Sequence, residues 1–116
     1  MLSQGNFVGL DIENINPKIE KIAHKFLTPG EIEAIPEHEK IEKLILMWSA
    51  KEALYKLYSM RGIEFKTQLL LSPFSIAQSG SIAAQIIAGG KFYNNLNINY
   101  LFFNGHVLSH VEGKMD

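Results

Sequence analysis

The sequence predicts an α+β domain: one N-terminal strand, three helices, then an antiparallel meander. Three observations carry that expectation. Phe7 to Glu13 alternates apolar and small or acidic residues with period two, as a strand does. From Asn16 to about Met60 the apolar spacing changes to three and four, with helix-start signals between the segments. After Gly62 the period returns to two, punctuated by Gly- and Asn-containing turns. The chain has 116 residues, enough for one domain spanning 1–116 with one core.

In the first strand Val8, Leu10 and Ile12 share one face, expected to be core. Gly9, Asp11 and Glu13 share the other. Two carboxylates on alternate residues stand roughly 7 Å apart along a strand. They suit either a solvated face or a hard-cation site that takes carboxylate oxygens and keeps several waters. Gly9 fits a place where a ligand or another backbone comes close.

Asn16 and Pro17 form an N-cap and first-position pair for a helix to about Lys25, with Ile19, Ile22, Ala23 and Phe26 as its apolar side. Thr28-Pro29-Gly30-Glu31 reads as a capping box opening a short helix that ends near Ile35. The long helix starts between Pro36 and Glu39, and Gly62 suits a cap beyond its end. Ile41, Leu44, Ile45, Trp48, Tyr55 and Tyr58 give it one apolar face. Glu52 lies four residues from both Trp48 and Lys56, so a carboxylate sits on or beside that face with a lysine one turn on. Such a carboxylate is costly unless cations or hydrogen bonds compensate it.

Ile63 to Phe65 reads as a short extended piece. Leu69 to Ala77 and Ser81 to Ala88 read as strands joined by a tight turn at Gln78-Ser79-Gly80, with Pro73 weakening the first. Gly89-Gly90 breaks the second run. Phe92-Tyr93 and Asn97 to Phe103 follow, and Asn104-Gly105 is the strongest hairpin signal. His106 to Val111 is the last strand, and Glu112 to Asp116 is expected to fray. His106 and His110 share a face while Ser109 points the other way, so a serine-histidine nucleophile pair is poorly placed. His24 and His38 lie among charged residues and are expected at the surface.

Composition excludes several functions. With 11 Lys plus Arg against 12 Asp plus Glu, the net charge of −1 does not suit a nonspecific nucleic-acid binder. Without cysteine there is no disulfide framework, thiolate nucleophile or thiolate metal site. No apolar run approaches the roughly 18 residues of a membrane span. Met1 to Asn6 has no signal-peptide pattern, so a cytoplasmic protein is expected.

Two segments together resemble one family. Val8-Gly9-Leu10-Asp11-Ile12-Glu13 is similar to the first signature of the 4'-phosphopantetheinyl transferase superfamily. Trp48-Ser49-Ala50-Lys51-Glu52-Ala53, with Lys56, is similar to the second, about forty residues later. Lys25 to Glu31 and Arg61-Gly62-Ile63 resemble the family's connecting regions. The resemblance implies transfer of the phosphopantetheine arm of coenzyme A to a serine of an acyl or peptidyl carrier protein. It implies magnesium, or manganese, held by Asp11, Glu13 and Glu52. Lys56 would reach the pyrophosphate of coenzyme A, with Lys51 nearby. Glu52, or a water that it orients, would take the serine proton. Glu13 and Trp48 match the longer, surfactin-synthetase-activating type, of which this chain resembles the C-terminal half. The other half supplies contacts to the 3'-phosphate and adenine that have no counterpart here. The expectation is therefore a homo-oligomer, dimer or trimer, or a separate partner chain for the N-terminal half. The alternative is a half-domain that binds metal, coenzyme A or a carrier without turnover.

Overall fold

A computed structural model describes residues 2–3, 6–58 and 62–113. Its frame is one six-stranded sheet in which every neighbouring pair is antiparallel, with helices packed on one face. In chain order the strands are β1 (Leu2–Ser3), β2 (Asn6–Asn14), β3 (Leu69–Leu71), β4 (Ser79–Ala88), β5 (Lys91–Phe103) and β6 (His106–Gly113). Their order across the sheet is β1-β2-β6-β5-β4-β3. The α+β expectation holds, and the first long strand pairs with the last.

The helical segment is more broken than its spacing predicts. Asn16 caps as expected, its side-chain oxygen accepting from the Lys18 N–H at 3.0 Å. The turn that follows, Pro17–Lys21, is 3-10, and α1 (Ala23–Phe26) is one turn long. The two do not fuse because Ile22 sits between them at φ −113° and ψ 3°, outside helical geometry. At α2 (Pro29–Glu33) the capping box is complete. Glu31 N–H donates to Thr28 Oγ1 at 3.2 Å, and Thr28 N–H donates to the Glu31 carboxylate at 2.8 Å. After a 3-10 turn at Glu37–Glu39, α3 (Lys40–Tyr58) provides the long helix. The expected final turn to Met60 lies outside the described residues. Gly62 adopts φ +80°, a conformation that glycine tolerates.

The apolar surface of α3 is not a single stripe. Leu44, Ile45, Leu46 and Met47 are consecutive and all buried, so the helix is covered on several sides. The sheet lies on one side and the Pro17–Lys21 turn on another. Trp48, Tyr55 and Tyr58, expected on the apolar face, are only partly buried.

Beyond Gly62 the strands differ from expectation in three places. Ile63 to Phe65 is not one extended piece, because Phe65 opens the short helix α4 (Phe65–Gln68). The run from Leu69 to Ala77 stops as a strand at Leu71, and residues 72–78 connect irregularly to β4. Gln78-Ser79-Gly80 is therefore no tight hairpin. Leu71 lies opposite Ala84, while Ser79 to Ala83 pair with β5 instead. The real hairpin turn there is Gly89-Gly90, with φ +58° and +76°. Asn104-Gly105, at φ +46° and +74°, makes the β5–β6 hairpin as expected.

The core lies between α3 and one face of the sheet. Val107, Ser109 and Val111 of β6 face it, with Leu96, Ile98 and Tyr100 of β5 and Ile82, Ala84 and Ile86 of β4. On β2 the expected faces are reversed. Gly9 and Asp11 are buried beneath α3, whereas Leu10 and Ile12 are each 54% exposed on the uncovered face. A Cβ on Gly9 would collide with the carbonyl of Ala53 and come within 2.9 Å of Leu57 N. The close approach that Gly9 suggested is thus to another backbone. Helix and strand touch there main chain to main chain, which leaves no room for an aliphatic side chain.

Candidate functional site

The backbone contact at Gly9 brings the acids of β2 against α3. Asp11 follows two residues later on the same face, 5% exposed, and meets the last third of the helix. Its Oδ1 accepts from the Lys56 ammonium at 2.9 Å. Asp11 Oδ2 is buried without a hydrogen-bond donor. A buried carboxylate oxygen left in that state is costly, and its cheapest remedies are a cation or a shared proton.

Glu13 and Glu52 lie in the field of this pair. Burial, then a proton shared with Asp11, then the charges of Asp11 and Glu52 push the Glu13 carboxyl up to about 7, against the pull of Lys56. With both carboxyls ionised neither has a proton to share. A proton on Glu13 gives Asp11 a donor. Burial and the Asp11 charge also raise Glu52, again against Lys56. The hydrogen bond to Asp11 raises Lys56, which keeps its charge firmly. Asp11, Glu13, Glu52 and Lys56 therefore form one electrostatic unit across β2 and α3.

Among the described residues, no three His, Asp or Glu side chains close on a metal-sized point. The donor chemistry nonetheless suits a hard cation. All three acids offer oxygen, Asp11 Oδ2 is orphaned, and magnesium commonly takes one or two carboxylates with waters and substrate phosphates. In the structure the Lys56 ammonium supplies the positive charge at Asp11.

Lys51 is not brought to this cluster. It is fully buried, and its ammonium donates to the carbonyls of Phe26 and Phe65, each at 2.8 Å. Burial, partly offset by Glu31, lowers its pKa to about 8. The coenzyme A contact that the resemblance implied for Lys51 has no exposed surface from which to act.

Beside Glu13 opens a cleft of about 470 Å³ lined by Ile12, Asn14, Asn16, Lys18 and Trp48, among others. Trp48 meets the tilted rings of Phe26, at 5.2 Å, and Phe65, at 5.6 Å. A more apolar cavity of about 260 Å³ lies between α2, α3 and residues 71–74 and touches none of the clustered acids. Sequence reasoning missed the pair beside Asp11. Ser49 Oγ donates to Ser109 Oγ at 2.9 Å, both side chains are fully buried, and Ser109 is Asp11's partner across the strands. The only signal was that Ser109 points away from His106 and His110, towards the core.

No helix among the described residues is long and apolar enough to cross a membrane. No curated protein matches the chain. A family model described as the 4'-phosphopantetheinyl transferase superfamily matches residues 7–108, a span that holds both signature segments and the whole cluster.

Proposed function

Because the chain belongs to the 4'-phosphopantetheinyl transferase superfamily, we propose that it transfers the phosphopantetheine arm of coenzyme A to a serine of an acyl or peptidyl carrier protein, with magnesium. The observation that carries this reading is the buried Asp11, paired with Lys56 and coupled to Glu13 and Glu52. In the reaction the serine oxygen bonds to the phosphorus that bears the pantetheine arm. The bond from that phosphorus to the bridging oxygen breaks, and adenosine 3',5'-bisphosphate leaves. Little covalent work falls to the protein, and alignment and charge relief dominate.

Asp11, Glu13 and Glu52 would hold the ion, which when bound relieves charge on the phosphate oxygens. Glu52 takes the proton of the serine hydroxyl. Its raised pKa suits that role, since a base works best when its pKa approaches the working pH. Lys56 is 48% exposed, so its ammonium reaches both Asp11 and solvent and presents a point charge to the leaving phosphate. A proton on Glu13 offers Asp11 a donor besides Lys56 when no metal is bound.

Homo-oligomerisation completes the proposal. Leu10, Ile12, Leu101 and Phe103 are all exposed on the uncovered face of the sheet. Adjoining apolar side chains of this kind mark interaction surfaces. The strand that presents Leu10 and Ile12 there presents Asp11 and Glu13 on its other side, so a second copy on this face would be separated from the acids by the sheet itself.

The test is incubation of the purified chain with coenzyme A, magnesium and an apo-carrier protein, read by mass spectrometry of the carrier. The expected result is the addition of one phosphopantetheine arm, lost on chelation of the metal and in Glu52→Gln. A carrier left unmodified across several carrier types would favour a half-domain that binds without turnover.

A further inference from the structure

Lys51 adjoins Glu52 in sequence, yet its side chain leaves α3 in another direction. Its two acceptors come from different segments: Phe26 is the last residue of α1, and Phe65 is the first of α4. The carbonyl of Phe26 is one of those that a helix end leaves without an intrahelical partner. The same two residues are also held by their rings. Phe26 and Phe65 both pack against Trp48, and Phe65 also meets Tyr55 at 5.4 Å.

Trp48, Lys51 and Tyr55 follow the three-and-four spacing of one helical stripe, and Glu52 and Lys56 belong to the next. On a rigid helix, fixing the rotation of the first stripe fixes that of the second. Asp11 lies beneath the second stripe and is bonded to Lys56.

We infer that Lys51 is a positioning residue: by tethering the Phe26 and Phe65 carbonyls it sets the rotation of α3 that brings Glu52 and Lys56 to Asp11, and it does not itself touch the phosphates of the substrate. The tether stands on geometry, and only the identity of what the acids and Lys56 bind rests on the proposed function. The ammonium makes two hydrogen bonds at 2.8 Å, one to a buried carbonyl and one to a part-buried one. Exchanging those bonds for a ligand's phosphate would require opening the packing around Trp48.

Two measurements test this. The first is amine acylation of the folded wild-type chain, read peptide by peptide, with and without coenzyme A. Lys51 should stay unreactive in both states, while Lys56 reacts and slows when coenzyme A is bound. The second is binding of manganese alone and of coenzyme A alone to Lys51→Met. Manganese affinity should fall about tenfold, the low end for loss of a group that orients metal ligands, and coenzyme A affinity should fall with it, because Lys56 moves with Glu52. Lys51 acylated as fast as Lys56 and protected by coenzyme A would overturn the inference. So would a Lys51→Met chain that loses coenzyme A affinity alone, or loses neither. If Lys51→Met does not fold, the wild-type acylation pattern still decides. An unreactive Lys51 in a chain where coenzyme A protects no lysine would retain the tether and sink the transferase reading.

Discussion

Gly9 lies directly against the carbonyl of Ala53, and any side chain at that position would occupy the helix backbone. The site depends on this contact, since it sets the depth at which Asp11 and Glu13 stand below α3. Gly9→Ala is expected to destabilise the fold by about 3 kcal/mol, the upper end for overpacking, because neither backbone has a rotamer with which to yield. Denaturant unfolding of the variant beside wild type measures this. A loss below about 1 kcal/mol would mean that helix and strand separate easily.

Lys56 supplies the cation paired with the buried Asp11. Lys56→Met should cost about 1–2 kcal/mol, limited by the exposure of the lysine side chain. Magnesium should raise the melting temperature of this variant more than that of wild type, because the uncompensated acid gains most from a cation. Thermal melts with and without the ion read both effects. An equal magnesium response in the two proteins would show that Asp11 does not meet the ion.

The proton on Glu13 gives stability a pH signature. Its carboxyl is raised from 4.5 to about 7 in the fold, so between those values the folded chain binds a proton that the unfolded chain has released. Stability without metal therefore falls as pH rises through that window. Metal affinity rises through the same window, since ion and proton compete for the acids. Glu13→Gln should flatten the metal-free slope. Melting temperatures at stepped pH check this, and a slope of opposite sign would refute it.

Ser49 and Ser109 form a closed pair beside Asp11, between α3 and β6. Either Ser→Ala change leaves the other hydroxyl buried without its partner, at about 1–3 kcal/mol. The double variant should cost less than the sum of the singles, because no orphan remains. A double-mutant cycle on unfolding free energies isolates that coupling. Additive costs would mean that each hydroxyl has another partner.

The uncovered sheet face gives a solution-state expectation. Wild type should associate, and Leu10→Ser with Ile12→Ser should shift it towards monomer without lowering its unfolding midpoint at high dilution. Both side chains are more than half exposed, so the single chain hardly uses them. Light scattering measures the shift. A wild-type chain that is already monomeric would remove the proposed oligomer.

The order and type of most elements were legible because turn and cap chemistry is local. The Thr28–Glu31 box and the Asn104-Gly105 turn need only their own few residues. The two signature segments singled out Asp11, Glu13, Lys51, Glu52 and Lys56, and of these the fold brings Asp11, Glu13, Glu52 and Lys56 into one field and turns Lys51 away. The inward face of β2 was not legible. Alternation separates Leu10 and Ile12 from Asp11 and Glu13, but it cannot say which set a helix covers. The usual inference that aliphatics go inside fails because Gly9 admits the helix backbone and Asp11 brings its own cation. The inward turn of Lys51 escaped for a related reason. Its acceptors are main-chain carbonyls of distant segments, which no side-chain pattern announces.

The pairing of β2 with β6 also orders events during synthesis. The strand that carries Asp11 and Glu13 precedes the long helix, but residues 8–14 find their ladder partners at 106–112. Contacts so distant in sequence form slowly and late. On a translating ribosome the two acids lack that ladder until nearly the whole domain has emerged. A nascent chain halted before β6 would carry every residue of the cluster and still lack the sheet that gathers them.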